Sequence, residues 1–441
     1  MNATFSTNQN KKMVVNLKIK SLKGSVVLPG DKSIAHRALI HASLAMGDSS
    51  ISNLPVSRDI RATQSALKKL GVPMRQSAVG DLVIMGSGGE LAPPDTPIDC
   101  MNSGTTMRLL MGVLASCPFE SNLVGDESLS KRPMERIAKP LRTMGVEIST
   151  TDGRAPVKIT GNLKLNPINY ELPVASAQLK SALIYAALFA NGQSVIIEPQ
   201  LSRDHTEIAL ERICPGNFKR EYSDARTNII NGPVELDSFE TTIPSDPSSA
   251  AYLVALALLL PDSEITFHNL LLNPCRIKYL DLLHQMGGDI EITQTGNEMG
   301  EKVGDVIVRS SELHCVDISS DDIPLLIDEI PLLAMISTKA KGRFEIKGAE
   351  ELRYKESDRL KATIENFRLL GVDLWEFPDG LSFDCPARLE SVAVNTYSDH
   401  RILMSLMVVS IIHNLDLEFE SFTNLDVSFP EFPDYLALLS R

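Results

Sequence analysis

The sequence predicts an α/β chain organised as two pseudo-threefold domains, and three observations carry that reading. A helix–glycine–strand phrase recurs at a nearly constant period. The chain has 441 residues, 43% of them hydrophobic, enough for more than one core. A stretch rich in proline and serine, Thr242-Ile243-Pro244-Ser245-Asp246-Pro247-Ser248-Ser249, falls where the chain would cross back between domains.

In each phrase a helix with apolar residues at three-and-four spacing ends at glycine, which supplies the left-handed residue that closes it, and a short strand follows. The copies end at Leu70-Gly71, Met144-Gly145, Met286-Gly287 and Leu370-Gly371. Each leads on to a second strand: Leu82-Val83-Ile84-Met85, Pro156-Val157-Lys158-Ile159, Val306-Ile307-Val308 and Leu381-Ser382-Phe383. The glycines are 74 residues apart from 71 to 145 and 84 apart from 287 to 371. The gap of 142 from 145 to 287 is about two periods, and Glu211-Arg212-Ile213-Cys214-Pro215-Gly216, followed by Asn228-Ile229-Ile230, is a degraded copy within it. A sixth copy requires both chain ends: a helix over Asp434-Tyr435-Leu436-Ala437-Leu438-Leu439 and a strand over Val14-Val15-Asn16-Leu17-Lys18-Ile19. The expected domains are therefore 1–23 with 246–441, and an inserted 24–245. The cleft between them is the expected ligand site.

Composition narrows the function. A net charge of −13 argues against nucleic acid as a partner, because neutralising phosphates needs a broad basic face. The six cysteines are scattered without Cys-x-x-Cys or His-rich spacing, which fits reduced thiols in a cytoplasmic protein and gives no metal site. The first dozen residues are polar and lack the apolar stretch of a secretory signal. The longest apolar run, residues 250–260, is half a membrane span and reads as a buried helix.

Positive charge is concentrated in short polar motifs. Asp31-Lys32-Ser33 follows a strand and a glycine turn, so it is either an ordinary capped helix or a helix start that binds an anion. Arg37 follows on the same helix. Asn102-Ser103-Gly104-Thr105-Thr106-Met107-Arg108 has the same form, with Gly104 allowing close approach to the backbone. Arg132, in Ser130-Lys131-Arg132-Pro133, offers a fork suited to carboxylate or phosphate. The polar patch Ala175-Ser176-Ala177-Gln178-Leu179-Lys180-Ser181 opens an apolar helix expected over residues 182–189, its polar groups being caps or ligand donors, and Ser202-Arg203 precedes Asp204, a candidate cap. Lys355 and Arg359, in Lys355-Glu356-Ser357-Asp358-Arg359, are four apart and would share a helix face. Asp328-Glu329 lies between two apolar runs, either as a cap or as a partly desolvated base. In Ser398-Asp399-His400-Arg401, Asp399 reads as a cap and Arg401 as the functional residue.

In this order the motifs resemble those of the EPSP synthase family, 3-phosphoshikimate 1-carboxyvinyltransferases, from about Lys18 to Tyr435. The resemblance implies the enolpyruvyl transferase fold, in which each domain is a threefold βαβαββ repeat. It implies transfer of the enolpyruvyl group of phosphoenolpyruvate to the 5-hydroxyl of shikimate 3-phosphate by addition–elimination, releasing phosphate, on the route to chorismate and aromatic amino acids. It implies that Lys32 contacts both substrates. Ser33, Arg37, Ser176, Ala177, Gln178, Ser202, Arg203, Asp328 and Lys355 would hold shikimate 3-phosphate; Gly104, Arg132, Gln178, Arg359 and Arg401 would hold phosphoenolpyruvate. Asp328 would take the 5-hydroxyl proton, and Glu356 with Lys32 would protonate the methylene. No cofactor or metal is implied, and the expected protein is a cytoplasmic monomer without membrane or nucleic-acid partners.

Two departures place the chain in a divergent branch of that family. Ala177 stands where a serine is common, and Ser428-Phe429-Pro430-Glu431-Phe432 lacks a lysine found in many members. Gly104 is retained, so the resemblance implies sensitivity to glyphosate. The related enzyme that uses UDP-N-acetylglucosamine is disfavoured: its loop cysteine has no counterpart in residues 118–133, and Lys32-Ser33 replaces its Lys-Asn pair. Intact Lys32, Asp328, Glu356 and Arg401 argue against a catalytically silent relative.

Overall fold

Helices of two kinds alternate along the chain, and their burial sets the architecture. The computed structural model describes residues 6–7, 13–15, 18–222 and 225–440. These fall into two units: the described residues up to Pro29 with Ser245–Gly296 and those from Lys302 on, and Gly30–Pro244 with Asn297–Glu301. We call them the terminal and the inserted unit.

In the inserted unit α1 (Lys32–Leu44), α3 (Gly104–Val113) and α5 (Ala177–Leu188) are buried over nearly their whole length, while α2 (Arg58–Lys69), α4 (Glu135–Thr143) and α6 (His205–Ile213) bury one face. Three four-stranded sheets surround them, all on one plan. An edge strand runs parallel to its neighbour, and two antiparallel strands follow. Ile98–Asp99, α3, Glu120–Val124, α4, Glu147–Thr151 and Arg154–Thr160 thus form one βαβαββ copy. Asn169–Glu171, α5, Gly192–Glu198, α6, Phe218–Tyr222 and Arg226–Gly232 form the next. The copy containing α1 and α2 takes its leading strand, Glu240–Thr242, from the far end of the segment. Strand Arg154–Thr160 shows the alternation of buried and exposed residues expected where one sheet face meets a core.

The terminal unit repeats the plan with losses. Helices α7 (Pro247–Leu259), α10 (Ile330–Ser337) and α12 (His400–His413) are inner; α8 (Pro274–Gln285), α11 (Arg359–Leu369) and α13 (Phe432–Leu439) are outer, and α9 (Ile323–Leu326) is a single turn. Lys23–Val27 pairs in parallel with Glu264–Leu271 as a full leading strand. In the next copy that strand is reduced to one parallel bridge, His314 to Lys341. The last copy joins both chain ends, Leu417–Phe419 pairing antiparallel with Met13–Val15. The strand expected over residues 14–19 is narrower: Asn16 and Leu17 lie outside the described residues, and Lys18 and Ile19 are not in a strand.

The periodic glycines do what the sequence requires of them. Gly71, Gly145, Gly287 and Gly371 have φ of 84°, 96°, 102° and 86°. After each, the next residue's N–H donates to the carbonyl five positions back, closing the helix and turning the chain into its strand.

Two predictions follow from this packing. Helix α3 passes so close to α5 that a Cβ on Gly112 would lie 2.1 Å from the Ala182 carbonyl oxygen. Gly112→Ala should therefore cost about 3 kcal/mol in urea unfolding; a loss under about 1 kcal/mol would contradict that contact. His41 is fully buried on α1, and burial, with Arg37 adding, lowers its pKa from 6.5 to about 3. The folded state then binds fewer protons than the unfolded, so this group's stability is complete above pH 6.5 and is lost as pH falls toward 3. Between pH 7 and 5 the parent should lose about 2 kcal/mol more than His41→Gln; parallel losses would refute the assignment.

Candidate active site

In the inserted unit the predicted residues gather at the N-terminal turns of the three inner helices. Asp31 caps α1 by accepting from the Ile34 N–H at 2.8 Å. Lys32 follows, its ammonium 2.9 Å from Asp59 on α2. The Arg37 guanidinium, 4% exposed, donates to the Ser33 carbonyl at 2.9 Å, to Thr206 Oγ1 at 2.7 Å and to Ser181 Oγ at 3.0 Å. Arg203 reaches the Ser33 hydroxyl at 3.4 Å.

Ser103 caps α3, and Gly104 is its first residue. A Cβ there would lie 3.2 Å from Arg108 Nη1 and 3.3 Å from Arg132 Nη1, so the glycine faces two guanidinium groups. Arg132 donates to Asn102 Oδ1 at 2.7 Å. Arg108 donates to Gln178 Oε1 at 2.6 Å, and the Gln178 amide donates to Thr105 Oγ1 at 3.0 Å. Ser176 caps α5, and Ala177 is its first residue. Ser202 donates both its N–H and its hydroxyl to Glu198. Helix N-termini with arginines beside them favour anions through aligned N–H dipoles and fixed charge together.

The terminal unit holds a second cluster, built around Arg359, which is 1% exposed. Its guanidinium donates to Asp399 at 2.8 Å, Asp328 at 3.1 Å and Glu356 at 2.5 Å. Arg401 donates to the Asp328 carbonyl at 3.0 Å and to Glu329 at 3.2 Å, and its other nitrogen lies 3.6 Å from the Asp328 carboxylate. Ser248 donates to Glu329 at 2.6 Å. Burial would raise the Asp399 pKa, but Arg359 outweighs it and the net shift is downward. For Lys355 burial lowers the pKa; Asp328 and Glu356 pull it back, and Arg359 adds to the fall.

Several local expectations change. Lys355 and Arg359 do not share a helix face, because Asp358 caps α11 by accepting from the Lys361 N–H and the helix starts only at Arg359. Lys355 is extended, after a 3-10 turn over Glu350–Tyr354. Asp204 occupies the N-cap position of α6 without a side-chain cap bond; its carboxylate instead pairs with Arg220 and Arg226. The Asp328 carboxylate is not a cap either, being held by arginines. Asp399 does cap α12, accepting from the Arg401 N–H at 2.9 Å. Sequence reasoning quoted Arg108 without giving it a role, although its spacing from Gly104 was visible. Lys180, which the sequence places in a polar patch ahead of an apolar helix from Ala182, lies inside that helix, because α5 starts at Ala177. Among the described residues no group of three or more His, Cys, Asp or Glu side chains is placed to hold a metal ion, and no helix is long and apolar enough to cross a membrane.

Known proteins match this chain over nearly its whole length. A family model described as EPSP synthase (3-phosphoshikimate 1-carboxyvinyltransferase) matches residues 17–436. A 3-phosphoshikimate 1-carboxyvinyltransferase of Thermodesulfovibrio yellowstonii is 41% identical over 431 residues, covering 96% of this chain and 99% of that one. One from Salinibacter ruber is 42% identical over 424 residues, covering 95% and 97%. The EPSP synthase of Acinetobacter baumannii has a similar structure, with a TM-score of 0.84 and 33% identity over 97% of this chain and 98% of that one. The enolpyruvyl transferase NikO of Streptomyces tendae, at 16% identity and a TM-score of 0.72 over 96% of both chains, shares the fold. The chain belongs to the EPSP synthase family.

Proposed function

We propose that the two clusters serve one reaction, transfer of the enolpyruvyl group of phosphoenolpyruvate to the 5-hydroxyl of shikimate 3-phosphate. The hydroxyl oxygen bonds to C2 of phosphoenolpyruvate while its C3 methylene gains a proton. Loss of phosphate and of a methyl proton then restores the double bond. The observation that carries this reading is the setting of Asp328, a carboxylate between Arg359 and Arg401 with Lys355 and Glu356 beside it. Such a group can take a proton while the neighbouring cations offset the negative charge of two anionic substrates.

In this reading Asp328 takes the 5-hydroxyl proton, and Glu356 with Lys32 serves the methylene. Arg37, Ser33, Ser176, Ala177, Gln178, Ser202, Arg203 and Lys355 hold shikimate 3-phosphate. Gly104, Arg132, Arg359 and Arg401 hold phosphoenolpyruvate, with Lys32 and Gln178 touching both substrates. Arg108 joins Arg132 beside Gly104, since both guanidiniums face that backbone. We place the enzyme in the cytoplasm, as a monomer acting without a cofactor.

Phosphate release by the purified chain tests the reaction directly: release should require both substrates, and release from phosphoenolpyruvate alone would refute it. Asp328→Asn should lower turnover by about 10²- to 10⁴-fold while shikimate 3-phosphate still binds. Glu356→Gln should slow deuterium entry into the phosphoenolpyruvate methylene; full exchange and turnover in both variants would remove these roles. Glyphosate should inhibit the parent in competition with phosphoenolpyruvate. A methyl at residue 104 projects toward Arg108 and Arg132, so Gly104→Ala should raise the half-inhibiting concentration by about 10-fold or more. An unchanged concentration would show that the inhibitor lies elsewhere.

A further inference from the structure

A line of buried charges runs through the inserted unit behind residues assigned above to shikimate 3-phosphate. Lys180 is fully buried in α5, a helix that is otherwise apolar from Leu179 on apart from Ser181 and the Tyr185 hydroxyl. Its ammonium lies 2.7 Å from Glu198 and 2.6 Å from Glu207, and both carboxylates are also fully buried. Burial works against the ammonium charge, but the two carboxylates outweigh it and its pKa stands above the ordinary value. Glu207 also feels Arg37. Lys180 is thus shared by two carboxylates, with Arg37 beyond Glu207; burial holds Glu198 above the usual carboxylate range even though Lys180 pulls it down.

Both ends of this line touch the proposed binding residues. At one end Glu198 accepts from the Ser202 N–H at 2.9 Å and from its hydroxyl, fixing the side chain and its loop. At the other, Arg37 is held by Thr206 and Ser181, the chain neighbours of Glu207 and Lys180, and those two hydroxyls meet at 2.7 Å. Buried ion pairs seldom stabilise a fold more than apolar side chains of the same volume would. Four charges in the middle of an apolar core therefore call for a purpose other than stability, and the geometry supplies one in holding Ser202 and Arg37 at a set separation.

We propose that Glu198 and Lys180 are positioning residues for shikimate 3-phosphate, acting through Ser202 and Arg37 without touching the substrate. This rests on the reading that Ser202 and Arg37 bind that substrate. Two variants separate positioning from folding. Glu198→Gln removes one negative charge and weakens the hold on Ser202. Lys180→Met with Glu198→Gln and Glu207→Gln removes the ammonium together with both carboxylates it meets, so it leaves neither buried carboxylate without its partner and should fold even where the single variant is destabilised.

Both variants should raise KM and the calorimetric dissociation constant for shikimate 3-phosphate by about 10-fold or more, with KM for phosphoenolpyruvate changed less than about 2-fold. The triple variant should recover melting temperature without recovering that affinity, a split that a purely structural role would not produce. A triple variant with parental affinity, or with KM raised equally for both substrates, would overturn this inference alone. A parent that binds no shikimate 3-phosphate would overturn it together with the reading beneath it.

Discussion

In each unit three inner helices are buried almost completely, and this constraint decides where polar chemistry can reside. A helix enclosed along its length holds a charge beyond its ends only where buried partners meet it, as Lys180 and Arg37 are met, and its N-terminal turn carries unsatisfied N–H groups that need acceptors. Lys32, Gly104 and Ala177 are the first residues of α1, α3 and α5. Asp399 and Arg401 mark the start of α12, and Glu329 the start of α10. The placement of these residues follows from packing: burial makes an unpartnered polar group costly along the rest of the helix and leaves the N-terminal turns as the readiest scaffold.

The two clusters differ in how their cations are held. Arg37, Arg108 and Arg132 donate to hydroxyls, carbonyls and amide oxygens. Such bonds fix the direction in which a guanidinium points, which suits it to meet an incoming phosphate or carboxylate. Arg359 and Arg401 are instead bound by Asp328, Glu329, Glu356 and Asp399. There the carboxylates offset the arginines and keep buried cations tolerable, and they are also groups able to exchange protons.

Much of this was legible in the sequence, for physical reasons that also mark where legibility ends. The threefold repeats could be read because each outer helix needs a left-handed residue to turn into its strand, and glycine meets that need at Gly71, Gly145, Gly287 and Gly371 alike. The helix starts could be read from Asp31, Ser103, Ser176 and Asp399, since capping is a local interaction. Side-chain pairing across sequence distance could not. That Asp204 gives its carboxylate to Arg220 and Arg226, or Asp328 to Arg359, depends on the sheets that bring those residues together. Lys355 failed for a nearer reason: spacing alone put it on a helix, but Asp358 starts that helix one residue before Arg359.

The same limit applies to Lys180, which the sequence places in a polar patch ahead of a helix from Ala182 and which instead lies inside α5. An isolated lysine in an apolar run looks like a defect or a surface residue until its partners are known, and Glu198 and Glu207 lie 18 and 27 positions away. Glu198 ends a sheet strand and Glu207 sits in the first turn of α6, so only the completed βαβαββ copy brings both to the ammonium. A repeat found from glycines therefore identifies which helices are inner, and an inner helix that carries a charge must have a partner elsewhere in its own copy or in the copy beside it. Applied to α1, the same argument accounts for Arg37, whose hydroxyl partners Ser181 and Thr206 lie on α5 and α6 of the copy next in space.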